Sequence, residues 1–319
     1  MNYIKNGLII VNKPKGLTSH DVVEEIRKFF PNIKVGHTGT LDPMTTGILL
    51  VCIGRATKLS RVLNRYDKEY IAEIELGYET DTLDSHGKIV KKSSKSEIGK
   101  KLEKITNLRK VINKFVGEIS QIPPIYSAIK YKGEKLYKIT RRNQKVKIKP
   151  RNVNIYKIQL IDKIRDSTFK IKVICSSGSY IRALARDIGI NLGTYATLIE
   201  LIRIRIGKYK IENSYKLEQL KKLYLKGMIS KVIIPISQIL SEFKKVIIKD
   251  FYKKMIKNGA PLSLNMIKNV PFKCKSRKEL VILVNEEKIV GIYKTFRDID
   301  LKSVSTSKTD VAKAWIMLN

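Results

Sequence analysis

Apolar positions along the chain change their period several times, and each change predicts an element. Residues 7–11 (Gly-Leu-Ile-Ile-Val) form a short apolar run ending in the breakers Asn12-Lys13-Pro14-Lys15-Gly16, which predicts a strand and a turn. Thr18 and Ser19 can cap a helix through Phe29, since Val22, Val23, Ile26, Phe29 and Phe30 recur at helical spacing before Pro31 stops it. Ile48 to Ile53 is apolar throughout and reads as a buried strand or the start of a buried helix, and Ala56 to Leu63 reads as helical. Over 69–77 the period is two: Tyr70, Ala72, Ile74 and Leu76 share one face, with Glu73 and Glu75 on the other. Strands follow at 153–161 and 168–175. A helix begins near Tyr180 with Ile181, Leu184, Ala185 and Ile188 inward, and Arg182 and Arg186 share a different face. Leu198 to Ile206 alternates and carries Arg203 and Arg205; Leu217 to about Leu225 is helical. From Phe243 onward short strands and turns (Lys244 to Ile248, Val281 to Val284, Ile289 to Tyr293) predict a separate β-rich domain, with the boundary in Ser237 to Glu242.

Two polar stretches interrupt these patterns. Residues 36–47 hold three glycines, four threonines, His37, Asp42 and Pro43, and read as a tightly folded loop. Asp42 is the only acidic side chain between Glu25 and Asp67, so a carboxylate in a stiff loop against an apolar wall is a candidate for chemistry. It could equally be an Asp-Pro turn whose side chain caps a backbone N–H. The second stretch, Thr80 to Gly87, offers Asp81 and Asp84; two carboxylates without further oxygen ligands read as a solvated turn rather than a cation site.

Charge changes the picture more than composition does. The 319 residues are 43% hydrophobic, as a globular chain should be, but the net charge is +35. Such a field attracts polyanions and favours a nucleic acid or an anionic membrane face, although the preference for Lys over Arg also fits a codon bias toward A and T. Lys91 to Lys104 is a charge-rich segment leading into a helix that ends near Gly117. From Gln121 a proline-stiffened stretch opens an excursion to Arg151, where Lys130, Lys132, Lys135, Lys138, Arg141, Arg142, Lys145, Lys147 and Lys149 interleave with Tyr126, Tyr131 and Tyr137. That mixture suits phosphate neutralisation with base stacking, or a solvated amphipathic helix. Cys52, Cys175 and Cys274 are far apart and only His20, His37 and His86 are present, which argues against a zinc site and a disulfide framework. No apolar run reaches the roughly 18 residues that span a bilayer, and the N-terminus resembles no targeting peptide. The expectation is a cytoplasmic protein with no metal, no cofactor and no membrane association.

The motifs that resist these readings agree with one another. Gly36-His37-Thr38-Gly39-Thr40-Leu41-Asp42-Pro43, with Thr46-Gly47-Ile48-Leu49, resembles the signature of the TruB family of tRNA pseudouridine synthases. Asn12-Lys13-Pro14-Lys15-Gly16, Lys68-Glu69-Tyr70, Thr80-Asp81-Thr82 with Asp84 and Gly87, Gln121 with Pro123-Pro124 and Tyr126-Ser127-Ala128, Ser179-Tyr180-Ile181-Arg182 and Leu201 to Arg203 match further family motifs in order, across about residues 7–240. The tail resembles the family's PUA-like domain only loosely, through Lys257 to Leu262. Thr45 stands where the family usually has Ala, and Thr140 and Asn143 replace an expected Ala and Gly.

The resemblance implies an α+β fold: a catalytic domain over 1–240 on a mixed, largely antiparallel sheet with flanking helices, and a PUA-like RNA-binding domain over 243–319. It implies isomerisation of the T-arm loop uridine of tRNA to pseudouridine by base flipping, with Asp42 as the essential carboxylate. It also implies Arg182 as the cation beside Asp42, Tyr70 as the aromatic on the target uracil, and Tyr180 and Leu201 in the substrate pocket. His37 would fill or stack in the space a flipped base leaves. The expected partner is the T-arm of tRNA, met by a monomer without guide RNA or obligatory protein partner. The alternatives are a guide-dependent enzyme of the box H/ACA type and a non-catalytic RNA-binding protein.

Overall fold

The computed structural model describes all residues except 1–4, 95–104, 128, 132, 137, 138, 140, 141, 143–145, 147, 166, 271–278, 286, 287, 298, 300–307 and 319. In chain order its first strands are Gly7–Lys13 (β1), Val35–His37 (β2), Thr46–Ile53 (β3), Lys68–Leu76 (β4), Tyr78–Thr80 (β5), Ile89–Lys92 (β6) and Gly117–Gln121 (β7). They continue with Lys130–Tyr131 (β8), Glu134–Lys135 (β9), Arg151–Arg165 (β10), Thr168–Cys175 (β11), Ala196–Ile206 (β12), Tyr209–Lys210 (β13) and Ile234–Pro235 (β14). Ten of these make one sheet in the order β14-β1-β3-β12-β4-β11-β10-β7, with β2 on β3 and β13 on β12. The sheet is mixed: β12 runs parallel to β3, pairing Ile202 with Thr46 and Arg203 with Gly47, and antiparallel to β4. The late strand β12 is therefore inserted between two early ones, and it joins the halves of the site described below.

The unbroken apolar run of β3 has a physical cause: both faces of the strand are covered. Leu49, Val51 and Ile53, with Ile9 and Val11 of β1, pack on Val22, Val23 and Ile26 of the helix Ser19–Arg27. Ile48, Leu50 and Cys52, with Leu8 and Ile10, pack on the opposite side against Leu59 and Leu63. That double burial settles the strand-or-helix ambiguity of Ile48 to Ile53. The alternation of β4 places Tyr70, Ala72, Ile74 and Leu76 against Ile181, Leu184, Ala185 and Ile188 of the helix Ile181–Asn191. On its other face, Glu69 is paired with Lys172 and Arg205.

A second sheet follows, in strands Lys244–Ile248 (β15), Leu262–Ser263 (β16), Ile267–Asn269 (β17), Leu280–Asn285 (β18), Lys288–Thr295 (β19) and Asp310–Met317 (β20), ordered β16-β20-β19-β18-β15-β17. It has its own core around Val246, Ile256, Leu283 and Tyr293. Ile282, Val284, Ile292 and Ile316 also enter the core beneath β1 and β3, and the Arg65 guanidinium lies 4.8 Å above the Trp315 ring. The two sheets are joined by shared apolar burial.

Some expectations need adjustment. Gly36 and His37, expected in a loop, extend β2 and pair with Cys52 and Val51. Gly54–Leu59 is a 3-10 turn leading into one α-turn at Ser60–Leu63, and the helix expected to end near Gly117 is Ile105–Asn113. Much of the basic excursion lies outside the described residues, including Lys132, Tyr137, Lys138, Arg141, Lys145 and Lys147. So do Thr140 and Asn143. Its described part is the β8–β9 hairpin, followed by the buried Leu136 and Ile139.

Candidate active site

The catalytic candidates converge because the loop before β3 is tied down at many points. The helix Ser19–Arg27 starts from Thr18, whose hydroxyl accepts from the Asp21 N–H while the Asp21 carboxylate accepts from the Thr18 N–H. That cap fixes Ser19, whose hydroxyl accepts from Leu41 N–H at 2.8 Å and lies 3.2 Å from Leu41 C=O. Asp42 to Thr45 is a β-turn closed by the Thr45 N–H to Asp42 C=O bond of 3.0 Å, with Pro43 at the position that favours it. The Pro43 carbonyl accepts from Gly16 N–H at 2.8 Å and from the Lys13 ammonium at 3.2 Å. Lys13 is completely buried and also donates to Pro14 C=O at 2.9 Å and Leu17 C=O at 2.6 Å. The loop is thus held by polar contacts from β1 and the first helix, which a flexible turn would lack.

The Asp42 carboxylate opens into a cleft of about 610 Å³. His37, Tyr70, Tyr180, Arg182 and Leu201 line the same cleft, so the six residues singled out in the sequence meet there from four separate stretches of the chain. Arg182, in the first turn of its helix, places Nε 2.9 Å from Asp42 Oδ2. Its other nitrogens are fully engaged: Nη1 donates to Thr82 C=O at 2.8 Å and lies 3.5 Å from Asp84 Oδ2, and Nη2 donates to Tyr126 C=O at 2.9 Å. Arg182 is 4% exposed, so it is neither a surface cation nor a ready phosphate contact. Burial in the cleft wall raises the Asp42 carboxyl above its ordinary value; Arg182 opposes that rise, and Asp84 adds to it.

Asp84 corrects an expectation. It does not belong to a solvated turn: it is 6% exposed and faces Arg182. Leu83 before it has φ of +62°, unusual for a side chain of that size, and this conformation directs both Thr82 C=O and the Asp84 carboxylate at one guanidinium. No sequence signal marked it beyond the polar motif itself.

Tyr70 enters the cleft from β4, 8% exposed, and burial raises its phenol. Leu201 comes from β12. Tyr180 precedes the Arg182 helix, with its backbone clamped on both sides by the Gln121 amide, which accepts from Tyr180 N–H at 3.0 Å and donates to Tyr180 C=O at 3.1 Å. His37 closes one end, its Nδ1 accepting from Gly39 N–H at 3.3 Å. Thr45 is buried in the cleft wall. Besides Asp84, the sequence reading passed over Lys13, whose only signal was its motif, and Arg203. The alternation of β12 does place Arg203 on the same face as Leu201, two residues earlier.

A cleft with one carboxylate against a buried arginine, an aromatic and an aliphatic wall, set on this sheet, belongs to a known class of RNA-modifying enzyme. The fold matches a Cbf5-Nop10-Gar1 complex chain at 27% identity and TM-score 0.73, covering 99% of this chain and 86% of that one. It matches a chain of an H/ACA ribonucleoprotein bound to a substrate RNA containing 2′-deoxyuridine at 25% identity and TM-score 0.70, over the same shares. These neighbours define a pseudouridine synthase fold.

The TruB family pseudouridylate synthase N-terminal domain matches residues 27–181, and the tRNA pseudouridylate synthase B C-terminal domain matches residues 182–241. Relatives named tRNA pseudouridine synthase B include one from Clostridium tetani, 41% identical over 90% of this chain and 94% of that protein. Another, from Francisella tularensis subsp. tularensis, is 46% identical over 71% of this chain and 74% of its own length. The chain belongs to the TruB family of pseudouridine synthases. The two family regions meet between Ile181 and Arg182, yet β12 from the second lies between β3 and β4 from the first, so they share one sheet and one cleft.

Proposed function

We propose that the protein isomerises the T-arm loop uridine of tRNA to pseudouridine, with Asp42 as the essential carboxylate. The observation that carries this reading is the 2.9 Å Asp42–Arg182 pair at the wall of a cleft large enough for one flipped nucleotide. The reaction breaks the N1–C1′ bond and forms a C5–C1′ bond between the same base and sugar. The C5 proton is lost to solvent and N1 gains one, so no net oxidation and no group donor are required. Arg182 keeps Asp42 ionised against the desolvation of the cleft. Tyr70 packs on the uracil near C5, Leu201 and Tyr180 hold its edges, and His37 occupies the space the flipped base leaves. Flipping costs on the order of a few kcal/mol, which stacking worth ~1–3 kcal/mol per base offsets.

The division of labour supported by the two sheets is a catalytic domain over 1–240 and a PUA-like RNA-binding domain over 243–319. The protein works in the cytoplasm as a monomer, without guide RNA or obligatory protein partner. The test is incubation of the purified protein with an unmodified T-arm stem-loop carrying tritium at uridine C5, without guide RNA. Tritium release by the unmutated protein and none by Asp42→Asn is the expected result. No release by the unmutated protein overturns the stand-alone reading, and equal release by both overturns the role of Asp42.

A further inference from the structure

Arg203 is a cation placed where β12 meets both the start of β3 and Tyr70 of β4. It is 2% exposed, among the largest fully buried side chains of the described residues, in the middle of β12. Its Nε donates to Ile48 C=O at 2.9 Å and its Nη2 to Gly39 C=O at 3.2 Å. These carbonyls lie on either side of Asp42, one before the turn and one in the strand after it, so a single guanidinium closes the base of the loop. The Arg203 backbone packs on the loop as well: it pairs with Gly47, where φ is +100° and a Cβ would sit 2.2 Å from Arg203 C=O. On its other side β12 pairs Arg203 with Tyr70 of β4, and its charge acts directly on the Tyr70 phenol.

A buried arginine set between two carbonyls and the Tyr70 phenol is an expensive way to brace a loop, and apolar residues of similar volume often stabilise such places better. What the guanidinium offers is its planar fork, with donors at fixed spacing. Two donors directed at Gly39 and Ile48 set the reach of the loop, and the register of β12 then sets the distance from that loop to Tyr70. Both contacts are made within the protein, at the wall of the cleft that Arg203 helps to line.

We propose that Arg203 is a positioning residue for the isomerisation, fixing the Asp42 loop relative to Tyr70. The proposal rests on the roles given above to Asp42 and Tyr70. Arg203→Lys is the informative variant, since it keeps the charge but loses the fork, and an ammonium cannot reproduce the paired contacts to Gly39 and Ile48. A misplacement of about 1 Å in a reacting group costs about 10²-fold in rate.

The experiment is single-turnover pseudouridine formation on full-length unmodified tRNA by Arg203→Lys and Arg203→Met, with tRNA affinity and thermal midpoint measured on the same preparations. The expected result for Arg203→Lys is a rate lower by about 10²-fold at unchanged tRNA affinity and near-native thermal midpoint. In a Tyr70→Phe background the same substitution costs less than it does alone, because the geometry it protects is already lost. Unmutated rate in Arg203→Lys overturns the proposal, as does a loss of affinity parallel to the loss of rate, which is what general destabilisation gives. Should Arg203→Met fail to fold, Arg203→Lys decides the matter alone. Failure of the underlying site reading is distinguishable: it appears as a fully active Asp42→Asn enzyme. An inactive Asp42→Asn enzyme beside a fully active Arg203→Lys enzyme overturns only the role of Arg203.

Discussion

Arg182 Nε stands 2.9 Å from Asp42 Oδ2 while the other nitrogens of the same guanidinium are bonded to Thr82 and Tyr126 carbonyls. A guanidinium so completely engaged cannot follow the carboxylate if it moves; it is a fixed charge built for one position. Charge-assisted contacts of this kind are among the strongest a side chain makes, and their value for catalysis lies in being arranged before substrate arrives.

Replacing Arg182 by Lys therefore removes more than a charge partner. Loss of one preorganised donor costs about 10²–10³-fold in rate, and the same loss is expected here with tRNA binding retained. Single-turnover kinetics beside a filter-binding affinity check it; an Arg182→Lys enzyme at full rate sinks the fixed-charge account.

The acid side of the pH–rate profile follows from Asp42. Burial raises its carboxyl above the ordinary carboxylate value, so activity is lost on acidification earlier than for an exposed aspartate. Asp84 contributes to that rise, and Asp84→Asn removes a neighbouring negative charge. The acid limb should then move to lower pH, and a limb that moves up or stays contradicts the assignment.

Lys13 should contribute to the alkaline side, together with Lys68 in the cleft wall, whose ammonium is also held down to about 8 by burial. Burial holds the Lys13 ammonium down to about 8, and the neutral amine formed above that pH is a weaker donor to Pro43 C=O and no longer a cation near Asp42. Rate should fall as pH rises through about 8. Lys13→Arg, charged throughout this range, should carry the limb upward even if the maximal rate drops.

Gly47 tests the seam between β3 and β12. With φ at +100° and Arg203 C=O 2.2 Å from any Cβ, Gly47→Ala forces the strands apart. A loss of about 2 kcal/mol or more is expected, read as a lower thermal midpoint, with activity falling as Arg203 withdraws from the loop.

RNA affinity should be strongly salt-dependent. With about six phosphates neutralised, log K falls against log salt with a slope near −5. A nearly flat plot would mean that the +35 charge reflects composition rather than RNA contact.

Local patterns carried most of the elements. The capping pair Thr18 and Asp21 defined a helix start because both partners lie within one turn, and the two-residue period of Tyr70 to Leu76 defined the inward face of β4. The run from Ile48 to Ile53 stayed ambiguous, since continuous hydrophobicity reports burial on all sides and not the element buried. Shared burial under Ile282 and Trp315, which joins the two sheets, had no periodic signature at all.

For the site the division is similar. By itself the chain determined which residue types were available, in motif order: one carboxylate in a stiff loop, an aromatic opening a strand, an arginine opening a helix. Their meeting in one cleft was decided by tertiary structure, through the insertion of β12 between β3 and β4. So were the parts that had looked ordinary in sequence. Asp84 read as a solvated loop residue, and Arg203 as one of two basic residues in an alternating strand. Burial changed what each can do, because a charge withdrawn from water must find partners, and only the fold specifies which partners lie within reach.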